Sequence, residues 1–125
     1  MAKKILIIED EEILLNLLKS KLSEIGYEVF TALDGVAGLE AIKEIVPDLI
    51  LLDLIMPRMG GFELLEKRQE DESIKGIPII IISNSGQPVE IEKARKLGVS
   101  DWLIKTEFDP KEVIEKVVAQ IGDSS

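Results

Sequence analysis

The chain has 125 residues, 46% of them hydrophobic and 31% charged, which suits one soluble globular domain with a sizeable core. Acidic residues outnumber basic ones by 24 to 15, and the net charge of −9 disfavours nucleic acid as a direct partner, because phosphate binding needs a basic face. The absence of cysteine excludes a disulfide framework and a thiolate metal site, and the absence of histidine removes the commonest general base and zinc ligand.

Met1-Ala2-Lys3-Lys4 leads into an apolar run of four residues, too short for a signal peptide or a membrane span. A cytoplasmic location with no membrane partner is expected. The run itself, Ile5, Leu6, Ile7 and Ile8, predicts a first strand. Ile13, Leu14, Leu17, Leu18, Leu22 and Ile25 then form a stripe at helical spacing, closed by Gly26. Residues 27–32 (YEVFTA) mix polar and apolar side chains and read as a half-exposed edge strand. A second helical stripe, Val36, Leu39, Ile42, Ile45 and Val46, begins after Asp34 and stops at Pro47.

The run Leu49, Ile50, Leu51, Leu52 predicts a strand buried on both faces that ends in a carboxylate, Asp53. Met56-Pro57 and Gly60-Gly61 break the chain before a third helix bearing Phe62, Leu64 and Leu65. A fourth strand over residues 79–82 precedes a helix from Pro88 to Gly98. Trp102, Leu103 and Ile104 form a weaker fifth strand. Asp109-Pro110 opens a last helix, with an N-cap and a proline in its first turn. Five β-α repeats imply an α/β fold, a doubly wound parallel sheet with five helices on its two faces. The expected domain spans residues 1–122, with a polar tail at 123–125 and no effector domain within the chain.

In such sheets ligands bind beyond the carboxyl ends of the strands. The residues just past each apolar run are Glu9-Asp10, Asp53, Ser83-Asn84 and Lys105. Three close carboxylates repel and raise one another's pKa unless a cation sits among them. An all-oxygen donor set favours a hard ion such as Mg²⁺, which keeps water positions open for a phosphate. Lys105 offers charge balance and Ser83 a hydrogen bond to a phosphoryl group. Taken singly, residues 9–12 equally suit a helix cap, Ser83-Asn84 an ordinary turn, and Lys105 a solvated surface group. Asp53 resists such a reading best, because an unpaired charge at the end of a buried strand is costly.

With Glu9-Asp10, Asp53-Leu-Ile-Met-Pro57, Gly60-Gly61, Ser83 and Lys105 in place, the chain resembles the receiver domain of bacterial two-component response regulators, chemotaxis regulators among them. Ser83 and Lys105 follow Asp53 by 30 and 52 positions, which also matches that family. The resemblance covers roughly residues 3–121. It implies a flavodoxin-like sheet of strand order 2-1-3-4-5, with Asp53 accepting a phosphoryl group from a phosphohistidine on a sensor histidine kinase or histidine phosphotransfer protein. It implies Mg²⁺ held by Asp10, Asp53 and the Ile55 carbonyl, with Glu9 acting through water. It implies Lys105 on the phosphoryl oxygens, and Ser83 and Trp102 as switch residues that change the surface of helix four, strand five and helix five.

Three positions depart from the family's pattern. Trp102 replaces a tyrosine or phenylalanine, Thr106 a proline, and Asn84 a small residue. Two other functions compete. An aspartate-nucleophile phosphatase would need a second aspartate at the position of Ile55, so a signalling domain rather than an enzyme is expected. A flavin- or nucleotide-binding protein would need a phosphate loop where Glu9-Asp10 stands.

Overall fold

The computed structural model describes residues 2–107 and 109–125. The elements alternate as expected: β1 Lys4–Ile8, α1 Glu12–Glu24, β2 Glu28–Ala32, α2 Gly35–Ile45, β3 Leu49–Asp53, α3 Gly61–Gln69, β4 Ile79–Ser83, α4 Pro88–Lys96, β5 Asp101–Ile104 and α5 Pro110–Ile121. The five strands form one parallel sheet in the order β2-β1-β3-β4-β5.

Parallel strands covered on both faces need apolar side chains in both directions, which is why β1, β3 and β4 read as unbroken aliphatic runs. Ile5, Ile7, Leu49, Leu51, Ile80 and Ile82 point to one face and pack against Leu15, Leu18 and Leu22 of α1 and Val113 and Val117 of α5. Leu6, Ile8, Ile50, Leu52, Ile79 and Ile81 point to the other and meet Ile42 of α2 and Leu64 and Leu65 of α3. Each such fully buried aliphatic side chain contributes about 1.5–3 kcal/mol. The edge strand β2 is only partly covered, as its mixed sequence predicts. Tyr27 lies just outside it, buried, with its hydroxyl donating to the Gly122 carbonyl.

Helix ends follow local chemistry. Asp34 accepts from the Ala37 N–H at 2.8 Å to start α2, and Asp109 accepts from Lys111 and Glu112 to start α5. Gly26, at φ 103°, ends α1. At the end of the sheet away from the carboxyl rim, the Lys3 N–H donates to the Ser124 carbonyl at 2.7 Å. No cis peptide bond occurs among the described residues, the bond between Lys105 and Thr106 included.

Strand register then sets the site. Ile8 pairs with Ala32 and Leu52, Asp53 with Ile82, and Ser83 with Ile104. The strand ends are therefore level, and Glu9, Asp53, Ser83 and Lys105 leave the sheet at the same edge.

Candidate functional site

Asp53 is the last residue of the central strand and is almost fully buried. Glu9, one residue past β1, is 2% exposed, while its neighbour Asp10 is exposed. Carboxylate oxygens of Glu9, Asp10 and Asp53 all lie within 4.8 Å of one another. Lys105 closes the cluster from β5. Its buried ammonium lies 3.0 Å from Glu9 Oε1, 3.3 Å from Asp53 Oδ2 and 3.1 Å from Glu11 Oε2.

The electrostatics follow from that crowding. Burial pushes the Glu9 carboxyl up to about 7; the Glu11 N–H and Lys105 pull it down, but not enough. Burial likewise raises Asp53, against the lowering effects of a hydrogen bond with Glu9 and the charge of Lys105. Burial alone would lower the Lys105 ammonium, yet its hydrogen bonds to Glu9 and Glu11 and the charge of Asp53 raise it instead. Two buried carboxylates facing one ammonium therefore favour sharing a proton or gaining a cation.

The donor set suits a hard divalent ion. It offers oxygen only, and Glu9 Oε1 is buried without a well-directed hydrogen bond. Ile55 sits on the loop after β3, with its side chain 73% exposed and its N–H donating to Asp53 Oδ1 at 3.3 Å.

Ser83 lies one strand away from Asp53 and is buried. Its hydroxyl accepts from the Ser85 N–H at 3.4 Å rather than touching the acids. Ser85 in turn reaches both neighbouring elements. Its hydroxyl donates to Glu90 in the first turn of α4 at 3.2 Å, and its carbonyl accepts from the Trp102 indole N–H at 2.9 Å. Trp102 is thus outside the acidic pocket, half-buried beside Ile91, Arg95 and Val99, and joined to Ser83 through one residue. Asn84 points to solvent.

Sequence reasoning missed three parts of this arrangement. Glu11 stands at the N-cap of α1 but makes no capping hydrogen bond, and its carboxylate goes to Lys105. Glutamate is a poor N-cap, and that was the available signal. The links from Ser85 to α4 and β5 depend on the folded loop after β4 and have no mark in the sequence. Arg68 of α3 is 2% exposed and has no carboxylate partner among the described residues; it donates to the carbonyls of Ile77 at 2.6 Å and Leu97 at 3.1 Å, tying α3 to the start of β4 and the end of α4. Nothing in a single sequence distinguishes it from a surface arginine.

The family model for the response regulator receiver domain matches residues 5–118. Over 121 residues the chain is 39% identical to the Regulator of RpoS of Escherichia coli K12, a match that covers 95% of this chain and 35% of that protein. The chain therefore spans about a third of that relative's length. Among solved structures, the chemotaxis protein CheY4 of Vibrio cholerae superposes with a TM-score of 0.89 at 26% identity, covering 97% of this chain and 100% of that one. The receiver domain of a sensor histidine kinase from Pseudomonas aeruginosa PAO1, solved with a magnesium ion in its active site cleft, gives a TM-score of 0.87 at 24% identity and covers 98% of this chain and 100% of its own. On sequence and fold together, the chain belongs to the response regulator receiver domain family of two-component signalling.

Proposed function

We propose that this chain is a phosphorylation-activated switch in which Asp53 is the phosphoacceptor. The observation that carries the reading is the placement of one buried carboxylate, Asp53, against the Lys105 ammonium and beside two further acids at the open edge of the sheet. In the transfer, an Asp53 oxygen attacks the phosphorus of a phosphohistidine on a sensor histidine kinase or histidine phosphotransfer protein. A P–O bond forms, the P–N bond breaks, and the imidazole leaves as a proton is taken up.

Lys105 then meets the new negative charge on the phosphoryl oxygens, exchanging one of its three carboxylate partners for them. Asp10, Asp53 and the Ile55 carbonyl would hold Mg²⁺, with Glu9 through water. When bound, the ion supplies charge neutralisation of the incoming phosphoryl group. The magnesium of the Pseudomonas receiver domain belongs to a protein that shares this fold, and the support here is the three clustered carboxylates. Ile55 offers no general acid, so the reading is of a domain that promotes its own phosphorylation and dephosphorylation without turning over other substrates.

The output runs through Ser85. When Ser83 turns toward the phosphoryl group it gives up the Ser85 N–H, and Ser85 carries the change to Glu90 on α4 and to Trp102 on β5. The surface of α4, β5 and α5 is then presented differently to a partner or output domain.

Trp102 is the chain's single tryptophan, so its emission reports this step alone. Beryllofluoride with Mg²⁺, a stand-in for the aspartyl phosphate, is expected to shift that emission to the blue as the half-buried ring packs further inward. The Asp53→Asn variant is expected not to respond. Unchanged emission in the wild type, with beryllofluoride binding shown separately, would make Trp102 a packing residue and remove it from the switch.

A further inference from the structure

We propose that Gly35, together with the ion pair of Asp34 and Arg58, positions the loop between β3 and α3 for metal binding. The proposal rests on the reading that Asp53 and a divalent cation share the acidic pocket. It concerns residues at the start of α2, on an element that supplies no member of that pocket.

The loop, residues 54–60, carries Ile55 between the phosphoacceptor strand and α3. Its base is closed by the Gly61 N–H donating to the Leu54 carbonyl at 2.8 Å and by the Ile55 N–H donating to Asp53 Oδ1 at 3.3 Å. Its crest lies on the first turn of α2. A Cβ placed on Gly35 would stand 2.1 Å from the Met59 carbonyl oxygen, 2.6 Å from Met59 Cβ and 2.8 Å from the Met59 carbonyl carbon. Those are main-chain atoms and a Cβ, which cannot swing aside as the tip of a long side chain can. Any side chain at position 35 must therefore push the loop.

The helix does not ask for this glycine. Alanine is the better helix former, so α2 alone would favour a substitution. The requirement belongs to the loop. Arg58 supports the same contact from the other side: at φ 70° it takes a left-handed conformation, and its guanidinium lies 3.4 Å from Asp34 Oδ2. The second oxygen of Asp34 caps α2 through the Ala37 N–H at 2.8 Å. One carboxylate thus starts the helix and holds the loop against it. The Arg58 side chain is 65% exposed, so the pair adds little to global stability. Its contribution is to where the loop sits. A small displacement of the crest would carry the Ile55 carbonyl away from the pocket and leave the carboxylates in place.

Two variants separate positioning from simple support. Asp34→Asn keeps a capping oxygen and loses the charge that holds Arg58. Gly35→Ala adds the obstructing methyl without harming α2. Mg²⁺ affinity is measured by titration calorimetry with no phosphodonor present, and the thermal midpoint is measured with and without Mg²⁺. The expected result is Mg²⁺ binding about two- to fivefold weaker in Asp34→Asn, the worth of a partly exposed ion pair. In Gly35→Ala it is about tenfold weaker or more, as for groups that orient metal ligands. The stabilisation gained on adding Mg²⁺ shrinks accordingly. Unchanged affinity in both variants, or midpoints that fall equally with and without Mg²⁺, would overturn the proposal. Asp10→Asn is the control for the underlying reading. If it weakens binding while Asp34→Asn and Gly35→Ala do not, only the positioning role fails. If the wild type itself binds no Mg²⁺, both fail.

Discussion

At the scale of single residues, the site is organised by too many carboxylates for one ammonium. Glu9 and Asp53 both have raised pKa values because burial penalises their charged forms, and Lys105 offsets only part of that cost. The consequence for stability has a definite sign. Glu9 titrates at its ordinary value of 4.5 when unfolded and at about 7 when folded, so across that interval the folded chain holds more protons. The metal-free protein therefore loses stability as pH rises from about 4.5 to about 7, and the loss is complete above the folded value. The raised Asp53 acts in the same direction. Urea unfolding in the presence of a chelator is expected to show a higher midpoint at the acidic end of that window, and Glu9→Gln is expected to flatten the trend. A wild-type midpoint that rises with pH across the window would contradict this account of the pocket. The positions of Glu9, Asp53, Ser83 and Lys105 at the sheet edge were legible in the sequence because each follows a short apolar run of strand length. Glu11 was not, because its partner is 94 positions away and becomes a neighbour only when β1 and β5 end at the same edge.

At the scale of elements, aliphatic runs and helical stripes were enough to place all five strands and all five helices, because burial on both faces leaves few alternatives for such segments. Backbone conformations that depend on a neighbouring element were hidden. Val46 ends α2 in the left-handed region at φ 49°, a conformation unfavourable for a β-branched residue. Nothing at the sequence level marks it beyond Pro47, which forbids the helix to continue. The side chain is 53% exposed, so little burial is lost on replacing it. Val46→Asn relieves the left-handed conformation and is expected to stabilise the chain by about 1 kcal/mol. Urea unfolding checks this, and a midpoint at or below the wild type would show that the Val46 contacts outweigh the strain. Arg68 illustrates the opposite limit. Its guanidinium is buried against two main-chain carbonyls from separate segments, and neither is visible until β4 and α4 are in place.

At the scale of the whole molecule, parallel pairing with level strand ends brings together residues spread from position 9 to position 105. The same geometry puts Ser83 between the pocket and the α4 side of the fold, where the Ser85 N–H donates to its hydroxyl and the Ser85 carbonyl accepts from the Trp102 indole. None of the helices among the described residues is long and apolar enough to cross a membrane. The central claim is that this assembly makes Asp53 a Mg²⁺-dependent phosphoacceptor. Intact-mass measurement after incubation with acetyl phosphate tests it most directly, on the wild type with and without Mg²⁺ and on Asp53→Asn with Mg²⁺. The account predicts a single added phosphoryl group on the wild type with Mg²⁺, little or none without it, and none on Asp53→Asn. Equal labelling of Asp53→Asn, or labelling of the wild type that ignores Mg²⁺, would contradict it.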